Sequence, residues 1–148
     1  LTLFRDKIDD IMEQVKCPVA VFVNRSYREG ALVSFVLGGM IDVFLLSYLN
    51  IMLQNGHSVR LFLFETDDEE FHQCIDDLLA HYADQIVVVW FAGVEELVTK
   101  ERDGLLVMSH LSYTKLSEDE LVMRELSSLL VIRRNKNKGE KNERLEIG

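Results

Sequence analysis

ALVSFVLGGMIDVFLLSYLNIML, residues 31–53, decides what kind of chain this is. Its 23 residues carry one charge, and length alone allows a membrane-spanning helix. Gly38-Gly39 interrupts the run, and Asp42 would lie near the bilayer centre, where a carboxylate is costly. The stretch reads instead as two elements. Ala31–Leu37 is β-rich and suits a strand, and Gly38-Gly39 makes the turn. Met40–Gln54 reads as one helix, apolar almost all round, which predicts cover on more than one side. A strand, a glycine turn and an apolar helix are the repeating unit of an α/β protein.

The flanks extend that reading. Upstream, Phe4, Ile8, Ile11, Met12 and Val15 share one face of a helix over residues 3–15, which Cys17-Pro18 ends. Val19–Val23 is a continuous apolar run, as in strands buried on both faces. Downstream, Asn55-Gly56 separates the apolar helix from a strand over Val59–Phe64. Thr66 and Glu69 have capping-box spacing, and Asp67, Asp68, Glu69 and Glu70 crowd the positive end of a helix dipole. That helix buries Phe71, Cys74, Ile75, Leu78, Leu79 and Tyr82, a three-four spacing. A strand over Ile86–Phe91, a short helix over Val94–Lys100 and a strand over Leu105–Met108 follow. Ser117 and Glu120 form a second capping box, with Leu116 and Leu121 as a hydrophobic staple, opening a helix to about Leu126. Leu129–Ile132 is the last strand. Strands alternating with helices predict a parallel sheet flanked by helices.

With 148 residues the chain suits a single core that needs no staple to fold. Cys17 and Cys74 are far apart, which suits buried thiols rather than a disulfide framework. The net charge is -9, and residues 1–132 hold 22 acidic against 10 basic side chains. Such a body repels phosphate backbones, so no nucleic-acid partner is expected. Residues 135–148 are polar and patternless, and read as a disordered tail. Leu1 enters a helical pattern at once, with neither Met nor a signal peptide, which suggests a fragment of something longer.

Little catalytic chemistry is visible. His57, His72, His81 and His110 lack ligand spacing, so no metal site is expected. There is no GxSxG elbow, and Ser109 and His110, read as strand neighbours, point to opposite faces. What remains is Gly38-Gly39 between a strand and a helix start, with Asp42 in the first turn. Backbone N–H groups there can receive an anion, or the glycines can serve the turn alone. Ligand crevices of doubly wound sheets lie at the C-terminal strand ends, which adds Glu65, Ser109 and His110 to the candidates. The candidate ligand-binding set is therefore Gly38, Gly39, Asp42, Glu65, Ser109 and His110, with no catalytic residue, metal ligand or cofactor.

Three local motifs resemble a known family. CPVAVFVNR (residues 17–25), VLGGMIDVFLLSYLN (residues 36–50) and LLVIRR (residues 129–134) are similar to the cytosolic C-terminal region of monovalent cation/proton antiporters. In that family two universal-stress-protein-like halves follow a membrane transporter domain. The family often has Asp at the position of Asn24 and Gly at that of Ser26; Ile41 replaces the first Asp of its GGxDD motif and Asp42 keeps the second. The resemblance implies a universal-stress-protein-like (adenine nucleotide alpha hydrolase-like) α/β fold. Residues 1–28 would be the terminal helix and strand of a preceding half, and residues 29–134 the domain itself. It further implies a non-catalytic regulatory or binding role on the cytoplasmic side of the inner membrane. The transmembrane antiporter domain of the same polypeptide would be its partner, with room for a homodimer. The alternative is a stand-alone universal stress protein binding a nucleotide or another anion. ATP-binding members carry glycines after the fourth strand, and residues 109–128 have none. Because the host half of Val19–Val23 is missing, that strand is expected to pair antiparallel with Leu129–Ile132 of the same chain, covering an edge that invites aggregation.

Overall fold

The computed structural model describes residues 19–134. The expected helix over 3–15, Cys17-Pro18 and the tail over 135–148 lie outside them. Six strands form one sheet: β1 (Val19–Val23), β2 (Val33–Leu37), β3 (Val59–Phe64), β4 (Ile86–Phe91), β5 (Leu105–Ser109) and β6 (Ser128–Arg133). Their order across the sheet is β1-β6-β5-β2-β3-β4. β2 pairs parallel with both β3 and β5, β3 with β4, and β5 with β6. β1 alone runs antiparallel, with Val19 opposite Arg133 and Val23 opposite Leu129. The expected pairing of the first strand with the last is thus present.

Alternation along the strands divides the core in two. Val36, Phe62, Leu129 and Val131 face one side, where α3 (His110–Leu116) and α4 (Glu120–Glu125) contribute Tyr113, Leu116, Val122 and Met123. Phe35, Leu37, Leu61, Leu63 and Ile132 face the other. There a 3-10 helix (Met40–Leu45) leads into α1 (Leu46–Gln54), and α2 (Glu69–Tyr82) adds Phe71 and Ile75.

Several local expectations need correction. The apolar stretch after Gly39 is not one helix: its first six residues are 3-10, a common start for helices whose first turn is tightened. Nor is it covered all round, because Ile41, Tyr48 and Ile51 are exposed. The cap of α2 is Asp68, not Thr66; its Oδ1 accepts from the Glu70 and Phe71 N–H groups, and Thr66 Oγ1 accepts only from Asp68 N–H. A carboxylate nearer the helix start outcompetes the hydroxyl. The same substitution occurs at α4, capped by Asp119 through the Val122 N–H rather than by Ser117. Leu121 is 74% exposed, so no staple forms with the buried Leu116. Cys74 is half-buried. The helix placed over Val94–Lys100 is a 3-10 turn over Val94–Leu97.

That turn is held by a carboxylate. Glu96 Oε2 accepts from the N–H groups of Gly93, at 2.9 Å, and Ala92, at 2.7 Å. Those two bonds hold its carboxyl below its ordinary 4.5, the Gly93 bond contributing most. A depressed folded value gives stability that is present above the unfolded pKa and lost as pH falls through the folded one. Glu96→Gln is therefore expected to be less stable than the parent at about pH 6, with the gap narrowing at a pH well below the ordinary 4.5. Urea unfolding at the two pH values measures the gap, and a gap independent of pH would refute the assignment.

Between β1 and β2, Ser26 has φ 83°, in the left-handed region where a side chain is strained. Ser26→Gly is expected to raise the unfolding free energy by about 0.5–1 kcal/mol, the relieved strain exceeding the added chain entropy. A urea midpoint unchanged or lowered would show that the strain is absent.

Candidate functional site

Strand order reverses between β2 and β5. From β2 the chain winds outward through β3 and β4, then returns to the other side of β2 as β5 and β6. Loops leaving the C-terminal ends of β2 and β5 therefore diverge, and a crevice opens at this switch point. One side chain spans it. Asp42, in the 3-10 turn after β2, is 1% exposed. Its Oδ2 accepts from Gly38 N–H, at 2.6 Å, and from the Ser112 hydroxyl of α3, at 2.7 Å. Its Oδ1 is buried and finds no hydrogen-bond donor among the described residues. A buried carboxylate oxygen without a donor is costly, by about 1–3 kcal/mol or more for a charged group.

Gly38 leaves room for this closure. A Cβ there would stand 3.3 Å from both Asp42 Oδ2 and Ser112 Oγ, against the bond that ties the two loops. Gly39, φ 151°, turns the chain into the 3-10 helix in a conformation few side chains tolerate. Ser109, 4% exposed, ends β5, and its Oγ accepts from Ser112 N–H to cap α3 and aim Ser112 at Asp42.

Beside Asp42 lies a cavity of about 170 Å3. Its walls are Val36, Phe91, Val94, Leu97 and Met108, and the Phe91 ring meets Phe64 edge-on, with centroids 5.6 Å apart. Ile41, Phe64 and Leu111 stand exposed among the lining residues, so the mouth is also apolar. Polar groups come from Asp42, Ser112 and Lys115. Lys115 is exposed and forms no ion pair with a described residue. Ser112 and Lys115 lie one turn apart on the same face of α3.

Of the sequence candidates, Gly38 and Asp42 line the cavity and Gly39 adjoins them. Ser109 acts through Ser112 as a cap. Glu65 is exposed beyond β3, its N–H bonded to the Phe91 carbonyl, and it does not line the cavity. His110 is the first residue of α3, half-buried, and also outside the lining; it is not a strand neighbour of Ser109 as the sequence suggested. Ser112, Lys115 and the aromatic pair Phe64 and Phe91 were missed. A Ser three residues after a possible Ser cap was the one available signal for α3. The Gly38 N–H that an anion would use is already occupied by a carboxylate, whose charge repels anions. Among the described residues no cluster of three His, Cys, Asp or Glu side chains is placed to hold a metal ion. No helix among them is long and apolar enough to cross a membrane.

The fold and the site define a six-stranded, mostly parallel α/β sheet with a small apolar crevice at its switch point. No protein-family model, curated protein or solved structure matches the chain.

Proposed function

We propose that this is a non-catalytic binding and regulatory domain of universal-stress-protein-like fold, belonging to the cytosolic side of a monovalent cation/proton antiporter. The observation that carries the reading is the antiparallel pairing of β1 with β6 in an otherwise parallel sheet. It is the arrangement expected of a strand left over from a preceding half-domain. The strained Ser26 adds support, since the resembled family often has Gly at that position. Asp42, the retained acid of the GGxDD-like motif, sits buried at the crevice, a place where a signal molecule can be bound.

A soluble domain tunes a transporter only by differing in affinity between two transporter states, with or without its own ligand. The test is proton-coupled flux in vesicles holding the parent transporter or the same protein lacking residues 17–134. Exchange is expected to persist with a shifted pH or cation dependence. Superimposable profiles would overturn the regulatory reading.

A further inference from the structure

The cavity at the switch point is walled by hydrocarbon and rings, and the buried charge beside it is out of a ligand's reach. Val36, Val94, Leu97 and Met108 line it together with Phe64 and Phe91. Asp42 Oδ2 is taken by the Gly38 N–H and the Ser112 hydroxyl, and Oδ1 is enclosed, so neither oxygen is open to a ligand. We propose that the cavity binds an uncharged aromatic molecule of one ring, seated against Phe64, Phe91 and Met108. This rests on reading the domain as a binding module and names the class of ligand that module takes.

Size limits the ligand to a single ring. A cavity of about 150 Å3 in another protein takes up benzene, whereas pockets for drug-sized molecules hold about 300–1,000 Å3. At about 170 Å3 this cavity admits a body of roughly six to nine non-hydrogen atoms and excludes a nucleotide. The walls then favour a ring over a plain hydrocarbon. Phe91 meets both Phe62, at 6.4 Å between centroids, and Phe64, at 5.6 Å, edge-on, so one more ring extends an edge-to-face series. The buried Met108 brings a polarizable thioether to the wall, and such groups also pair favourably with rings. Each contact of this kind raises affinity by about two- to tenfold beyond the burial of area alone.

Charge decides that the ligand is neutral. Among the described residues Asp42 and Lys115 alone bring charge to the lining. A cationic ligand would leave water without gaining a bond from Asp42, and a buried ion without a partner is costly. An anionic ligand would meet the repulsion of that carboxylate. Against this stands only Lys115, an exposed side chain whose ion pairs form in water, where they gain little. An uncharged ring avoids both costs, and the exposed Ile41 and Leu111 at the mouth offer it further apolar contact.

The experiment is an NMR titration of the whole chain, carrying isotope-labelled methionine methyl groups, with benzyl alcohol, benzylamine, benzoate and cyclohexylmethanol. The first three vary the charge on one ring, and the last replaces the ring by its saturated counterpart. Benzyl alcohol is expected to shift the Met108 methyl signal and to bind with a Kd of about 1 mM or below. Benzylamine and benzoate are expected to bind at least about tenfold more weakly, and cyclohexylmethanol at least about twofold. Val94→Phe, which puts a larger side chain into the cavity wall, is expected to weaken benzyl alcohol at least about tenfold. Lys115→Gln, an exposed substitution that leaves the core untouched, is expected to change it by less than about twofold. No shift of the Met108 methyl up to about 10 mM benzyl alcohol overturns the proposal. So does any of the other three compounds binding as tightly as benzyl alcohol, or a folded Val94→Phe protein binding it like the parent. A loss of more than about fivefold in Lys115→Gln assigns the ligand to that ammonium and overturns the neutral reading too. Because these titrations use the domain alone, their failure is separate from any result of the vesicle flux assay.

Discussion

Asp42→Ala will lower the unfolding free energy by about 3 kcal/mol, and the melting temperature by roughly 10 °C. The carboxylate is the acceptor for two part-buried donors far apart in the chain, the Gly38 N–H in the turn after β2 and the Ser112 hydroxyl of α3. Hydrogen bonds to a charged group contribute about 1.5–3 kcal/mol each. Removing the acceptor takes from both donors the one charged partner they have and leaves a gap where the 1% exposed Asp42 side chain stood. Against this loss stands the relief of the orphaned Oδ1, about 1–3 kcal/mol, so the net falls short of the sum of two bonds. Two further variants separate the contributions. Asp42→Asn keeps a carbonyl oxygen for both donors and is expected to cost about 1 kcal/mol. Ser112→Ala removes one donor and is expected to cost a similar amount, with the Gly38 bond intact. Urea unfolding of the three proteins decides the matter. If Asp42→Ala lies within about 1 kcal/mol of the parent, Asp42 does not hold the two loops together.

The sequence made strands legible and caps misleading, for one physical reason. A run such as Leu129–Ile132, in a strand flanked by two others, is apolar throughout because both faces of the sheet are covered there, so the signal is carried by every residue. A cap depends on one side chain among several candidates. Between Thr66 and Glu70 four acids compete, and only the backbone path decides that Asp68 receives the two N–H groups. Helix α3 was invisible for a related reason. Only Tyr113 and Leu116 of its seven residues are buried, too few for a periodic pattern, and Leu111 points outward. Missing α3 meant missing Ser112 and Lys115, two of the three polar side chains of the crevice. Asp42 was found from its neighbours in the chain, but its partner lies 70 residues away, a proximity that comes from the return of β5 beside β2.

The first strand was also legible, and its removal gives the other large expected effect. A chain beginning at Glu29 is expected to associate or aggregate, whereas one beginning at Val19 is expected to stay folded, so that the difference belongs to residues 19–28 alone. Val23 is 5% exposed and packs on the core face that carries Leu129 and Val131. Its burial contributes roughly 1.5–3 kcal/mol, and the partly buried Val19 and Val21 add to it. Arg25 then ties the end of the strand down. Its N–H donates to Ser128 Oγ at 2.7 Å, and its guanidinium donates to the carbonyls of Met123, in α4, and of Leu126 just after it. Each such bond is worth about 1 kcal/mol or more. Together these reach at least about 4 kcal/mol, a large share of the 5–15 kcal/mol that holds an ordinary domain. The lost contacts are not the whole effect. Without β1, the apolar strand β6 becomes a bare edge from Ser128 to Arg133, and unpaired edges recruit other chains. Size-exclusion chromatography and thermal melts of the two proteins test this. A monomeric chain from Glu29 that melts within a few degrees of the longer one would show that β1 is an ornament to a sheet already closed.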